Sequence, residues 1–179
     1  MRDQSIPEML AEARELFGVF GKSRQALEMV DRVLAIKTDN VDALNLKADI
    51  LFDLDRDDEA REFHLQAFAQ DPNSVEALHG LASIANERGN FTDALEWIRC
   101  AFSAIPNDAD REFMENEDFR QRLIAELYNE QAFALWYLGE VEEATRVLSQ
   151  DAPDACPLEI ESFEDQLDWL QHHRDRPED

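Results

Sequence analysis

Four histidines and two cysteines are the side chains of this chain best suited to hold a metal or relay a proton, and their spacing serves neither purpose. His172 and His173 are adjacent, so on a helix they point apart, whereas helical metal ligands sit three or four residues apart. Cys100 and Cys156 are far apart and have no second ligand pair, so neither a zinc site nor a disulfide framework is expected. Cys100 reads as a small, reduced, buried thiol and Cys156 as a loop thiol. There is no glycine-rich phosphate loop and no nucleophilic serine elbow. Carboxylates are the remaining candidates, but with 41 of them in 179 residues no pair stands out as a general acid and base. The sequence therefore predicts no enzyme, no cofactor and no metal.

What the carboxylates can do is set a field. A net charge of −24 repels nucleic acid and anionic membrane surfaces and attracts basic partners. The 44% apolar content suffices for one domain with a core. No uninterrupted apolar run approaches the roughly 20 residues that span a bilayer, and MRDQSIPEMLAEARELF lacks the apolar centre of a signal peptide. A cytoplasmic protein without membrane insertion is expected.

The elements that must carry these charges follow from an internal repeat. Ala26, Ala60 and Ala94 are spaced by 34 and 34 residues, in GKSRQALEMVDRVLAIKTDN, DRDDEAREFHLQAFAQDPN and GNFTDALEWIRCAFSAIPN. A fourth copy, GEVEEATRVLSQ, centres on Ala144. A fixed period in this range means stacked supersecondary units. In the third unit Leu78, Leu81, Ala82 and Ala85 mark one face of a first helix, and Gly89-Asn90 breaks it. Ala94, Ile98 and Ala101 mark a second helix, which Pro106-Asn107 ends. Ala82 and Ala94 are small enough for the two backbones to close on each other.

This pattern resembles the tetratricopeptide repeat family, which the third unit matches at Leu78, Leu81, Ala82, Ala85, Ala94, Ile98, Ala101 and Pro106. The other units depart in places: Arg14 and Thr38 in the first, Lys47 and His64 in the second, Gln131 and Asp151 in the fourth. The resemblance covers about residues 7–158 and implies an all-α fold, a right-handed α-solenoid of about four helix hairpins with a C-terminal capping helix. The expected organisation is a single domain over 1–173, with repeats at about 7–40, 41–74, 75–108 and 125–158, an insertion at 109–124, a cap at 158–173 and a tail at 174–179. In the insertion, Asp118 is expected to cap a first helix lengthened from about Phe119. His64 stands where the family prefers a bulky residue, so it reads as a packed imidazole.

In that family the first helices line a concave surface that binds proteins. One helical stripe repeated in each unit places Glu8, Glu12 and Glu15 there from the first, and Asp42, Asn45, Asp49 and Asp53 from the second. The third contributes Glu76, His79, Asn86 and Glu87; the fourth Glu126, Asn129, Glu130, Phe133, Trp136 and Tyr137. The stripe is richer in acid than the chain as a whole and holds no base. The residues expected to touch a partner are Glu12, Glu15, Asp42, Asn45, Asp49, Asp53, His79, Asn86, Glu126, Asn129, Glu130, Phe133, Trp136 and Tyr137. The carboxylates would steer a basic or amphipathic segment, the asparagines would bond its backbone, and the aromatic residues would anchor it.

The lysine-, asparagine- and arginine-bearing clamp by which some family members hold a terminal carboxylate is absent: Ala11, Glu15, Leu46, Glu76 and Gly80 occupy its places. An adaptor for one protein partner is the leading reading. Two alternatives remain. One is a chaperone for a secreted protein, resembling those of type III translocators. The other is a structural scaffold that forms homo-oligomers through its ends.

Overall fold

The computed structural model describes residues 4–105 and 116–148. Its helices are α1 (Ile6–Gly18), α2 (Ser23–Ile36), α3 (Val41–Asp53), α4 (Asp57–Gln70), α5 (Val75–Glu87), α6 (Phe91–Ala104), α7 (Glu117–Tyr137) and α8 (Val141–Arg146). There is no strand among the described residues. The expected cap at 158–173, the tail at 174–179, Cys156 and the His172-His173 pair lie outside them, as does Pro106.

Consecutive helices form four hairpins, α1–α2, α3–α4, α5–α6 and α7–α8. Each hairpin turns at the same register, where Gly21, Asp55, Gly89 and Gly139 take φ of 59°, 56°, 71° and 83°. Glycine adopts this left-handed conformation without a Cβ clash, and aspartate is among the few other residues that tolerate it. The turned chain then satisfies a carbonyl that the helix end would leave bare. Arg56 N donates to Leu51 O, Asn90 N to Ala85 O and Glu140 N to Leu135 O, at 2.8–2.9 Å. The first turn is one residue wider, with Lys22 N donating to Leu16 O.

Entry into the hairpins is fixed differently. First helices begin at polar caps: Asn40 accepts from Ala43 N at 2.8 Å, Ser74 from Ala77 N at 3.4 Å, and Asn116 from Phe119 N at 3.0 Å. In α1, Glu8 reaches back to accept from Ser5 N at 2.8 Å, and this bond holds its carboxyl below the ordinary range. The second helices have no side-chain cap and rely on the turn that precedes them.

Nesting occurs through small residues. Ala26, Ala60, Ala94 and Ala144 are all buried, as are Ala48, Ala82 and Ala132 on the facing first helices. A larger side chain at such a crossing would hold the helices apart or strain its rotamer, typically at about 1–3 kcal/mol. Leucines and isoleucines fill the spaces between crossings: Leu78, Ile98 and Leu127 pack together across the third and fourth hairpins.

Two expectations need correction. Helix α7 starts two residues before Phe119 and is capped by Asn116, not Asp118, because the asparagine carbonyl is the one aimed at an N-terminal backbone donor. Residues 117–124 are thus the opening turns of α7, and Phe119 and Leu123 among them pack on the third hairpin. Cys100 is exposed; it precedes the buried Ala101 and so falls on the outer side of α6.

Between the second and third hairpins a glycine makes the room. His64 of α4 is 1% exposed and lies against Gly80 of α5, where a Cβ would come within 2.0 Å of Nε2. Gly80→Ala is expected to cost roughly 1–3 kcal/mol in urea denaturation, since the ring must move. Combining it with His64→Ala should cost less than the sum of the two single changes. Additive losses would show that the ring and the glycine do not depend on each other.

Candidate binding groove

First helices pack on one another in sequence, α1 on α3, α3 on α5 and α5 on α7, while each second helix packs on the next first helix. The row of first helices is therefore the tighter one, and the stack bends towards it. Its inner wall carries the stripe picked out from the sequence.

The structure divides that stripe into open and closed positions. Glu12, Glu15, Asp49 and Asp53 are exposed; Asp42, His79, Glu126, Asn129 and Glu130 are half-buried. Glu12 accepts from the Gln4 amide at 2.8 Å and Asp53 from the Ser23 hydroxyl at 2.8 Å. Asn45 and Asn86 are buried, so the expectation that they bond a partner's backbone fails for both. Each instead stitches one hairpin to the next, because its position on the stripe faces the neighbouring first helix. Asn45 donates to Ser74 Oγ at 3.0 Å and to Glu76 Oε2 at 3.4 Å. Asn86 donates to the backbone carbonyl of Glu130 at 3.1 Å and to its carboxylate, which also accepts from Ser83 Oγ at 2.9 Å. Glu130 is thus a strut of the wall.

Two histidine–carboxylate pairs occupy the middle of the groove. Asn45 must turn its amide nitrogen to the carboxylate of Glu76, which leaves its Oδ1 3.4 Å from His64 Nδ1. The ring proton then sits on Nδ1, and the Nε2 lone pair faces Asp49 Oδ1 at 3.5 Å. Burial holds the imidazole neutral, lowering its pKa from 6.5 to about 3, with a smaller push from His79. The Asp49 carboxyl is pushed up to about 7, chiefly by loss of hydration, with Glu126 adding to the rise and Arg14 opposing it. Its side chain remains 48% exposed. Protein surrounds it along the concave wall while water still enters from the open side, so solvent tempers the rise in the empty groove. At 3.5 Å the imidazole lone pair faces the carboxyl, so the two groups titrate as a coupled pair. The second pair is His79 and Glu126, 4.0 Å apart. Burial lowers the His79 pKa against the pull of Glu126.

At the far end the wall becomes aromatic. Tyr137 stacks on Phe91 with centroids 4.8 Å apart and an interplanar angle of 13°, and Phe133 leans on Tyr137 at 4.7 Å. Phe133 and Tyr137 remain 38% and 48% exposed. Trp136 turns away and packs against the cluster of Ala132, Leu135, Ala144 and Val147. Of the three aromatic residues expected to anchor a partner, two are presented and one belongs to the core.

Sequence reasoning missed Phe91 and the groove-side role of His64. Phe91 opens α6 directly after the glycine turn, where the other second helices have Ser23, Asp57 and Val141. That substitution was the available signal. Among the described residues no cluster of three or more histidine, cysteine or acidic side chains could hold a metal, and no helix is long and apolar enough to cross a membrane.

The sequence matches the tetratricopeptide repeat family model over residues 10–67 and 64–109. No curated protein matches it. Solved structures of MamA share the fold. One is 17% identical, with 80% of this chain and 69% of that one covered and a TM-score of 0.60. A second is 15% identical, with 92% and 81% covered and a TM-score of 0.61.

The coupled pair has a thermodynamic signature. Below pH 6.5 the unfolded His64 takes up a proton that the folded ring refuses until about 3, so its contribution to stability falls on acidification. Asp49 acts in the opposite sense: folded, it binds a proton below about 7, and unfolded only near 3.8, so it adds stability as pH falls through that window. Asp49→Asn removes this offset. The urea midpoint of the parent chain minus that of Asp49→Asn is expected to grow as pH falls from about 7 towards 4. A difference that stays constant would contradict protonation of Asp49 in that window.

Proposed function

Because the chain belongs to the tetratricopeptide repeat family, we propose that it is a non-catalytic, cytoplasmic adaptor holding a basic or amphipathic segment of a partner protein in the acidic groove. The observation that carries this reading is the juxtaposition of Asp49 and Glu126, from α3 and α7. Their side chains are 48% and 40% exposed on the inner wall, and Glu126 raises the cost of ionising Asp49. Water screens such repulsion only in part, and a lysine or arginine between the two would replace it with attraction.

Position and specificity come from other parts of the wall. Glu12, Glu15, Asp42 and Asp53 extend the negative field towards the first hairpin and speed the approach of a cationic segment. Phe133 and Tyr137, backed by Phe91, offer a rigid apolar step that loses little entropy on binding. His79 and Asn129 remain accessible for hydrogen bonds to the bound backbone. The preferred ligand is therefore a segment with cationic residues in its middle and an apolar or aromatic residue at the end that meets the fourth hairpin.

A second reading, self-assembly through the hairpin turns, draws on the exposure of Val19 and Phe20 in the first turn and of Tyr137 and Leu138 in the last. Light scattering over a wide concentration range separates the two, since the adaptor is expected to stay monomeric.

Capture from native lysate at about 50 and 500 mM salt tests the main reading. Basic partners are expected, and their yield should fall sharply once screening shortens the field to a few ångströms. Tyr137→Ala should weaken a purified partner by about tenfold, as the loss of a desolvated aromatic anchor does. Acidic partners, or capture indifferent to salt, would contradict the acidic groove.

A further inference from the structure

At the centre of the acidic wall a half-exposed carboxyl faces a buried imidazole. Asp49 sits on α3 within 3.5 Å of a buried, neutral imidazole from α4. Groups on the elements packed around it bear on its charge. Arg14 of α1 favours the carboxylate. Glu126 of α7 opposes it, and so does burial among the surrounding helices. From α5 come His79, whose pKa burial lowers, and Glu76, held by Asn45 one turn away. Helix α2 meets α3 on another side, through the ion pair of Asp31 with Lys47. His64 itself cannot step aside or take up the charge, because its ring is fixed between Asn45 and the backbone of Gly80.

We propose that occupancy of the groove is proton-linked: the Asp49–His64 pair holds one proton while the groove is empty and releases it to water when a cationic side chain of the partner settles against Asp49 and Glu126. The inference rests on the groove reading above and adds a regulator to it. Charge is conserved in the exchange, one proton leaving as one cation arrives. The bound ligand does what Arg14 does only in part, making the ionised carboxylate the favoured form. It also covers the half-exposed carboxylate, so proton and cation compete for a single, increasingly dry site. The imidazole keeps its proton on Nδ1 throughout and serves to position the carboxyl. Affinity therefore rises with pH across neutrality.

A capped hexa-arginine peptide serves as the probe, with two measurements on the full chain. Carboxyl-carbon NMR of the free protein should show Asp49 titrating near pH 7, and calorimetry should show the peptide binding about tenfold more tightly at pH 8 than at pH 6, as release of one such proton requires. Repeating the titration in buffers of different ionisation heat should return close to one proton released per peptide at pH 6. In Asp49→Asn, a near-isosteric stand-in for the protonated carboxyl, binding should be weaker and equal at the two pH values. Titration of Asp49 in the ordinary carboxylate range, with equal affinity at pH 6 and 8, would overturn this inference and leave the groove reading intact. A peptide that fails to bind at either pH would overturn both.

Discussion

Antiparallel helices close to about 8–10 Å only where one of them presents almost no side chain, and the architecture of this chain depends on meeting that condition in every hairpin. Ala26, Ala60, Ala94 and Ala144 meet it on the second helices. Because the crossings recur every 34 residues along the first three hairpins, each is laid on the one before with the same offset. The offset carries the row of first helices to the inside of a bend. The groove is thus a consequence of where small residues fall, and the polar side chains lining it need only avoid disturbing the crossings.

The wall then has to handle polar groups that packing would strand. The Asn45 and Asn86 amide nitrogens do so by bonding across hairpin boundaries, to Ser74 and Glu76 and to Glu130, while Asn86 Oδ1 stays buried without a partner. A buried amide without a partner would cost about 1–3 kcal/mol, so these bonds also fix how each hairpin sits on the next. His64 is the extreme case. An imidazole stands where the repeat favours an apolar residue, and the chain accommodates it by removing the Cβ opposite, at Gly80, and by supplying Asn45 and Asp49 to its two nitrogens. One buried imidazole thus sets the surroundings of three neighbours, Asn45, Asp49 and Gly80.

The architecture was legible in the sequence because it rests on periodic, redundant signals. The alanines, the glycines at three of the four turns and the apolar positions of each first helix recur at the same register within each hairpin, so a departure such as Arg14 or Lys47 in one unit is outvoted by the rest. The fate of single polar residues was not legible in the same way. Asn45 and Asp49 lie on one stripe one turn apart, yet one is sealed and the other open. The difference depends on the neighbouring elements: Ser74, the cap of α5, bonds the first, while the second meets the edge of the α4 imidazole and open solvent. Cys100 failed as a buried thiol for a related reason, since a small apolar residue beside a core position turns outward on a helix. Phe91 escaped notice because its partners, Phe133 and Tyr137, are more than 40 residues away and meet it only when the fourth hairpin docks on the third.

Chemical-shift mapping with a basic peptide bears most directly on the claim that small-residue crossings turn the first helices into an acidic inner wall. Perturbed amides are expected to run along α1, α3, α5 and α7, centred on Asp49, His79 and Glu126 and reaching Phe133. Perturbations confined to α2, α4 and α6 would place the binding surface on the outer row and contradict the account.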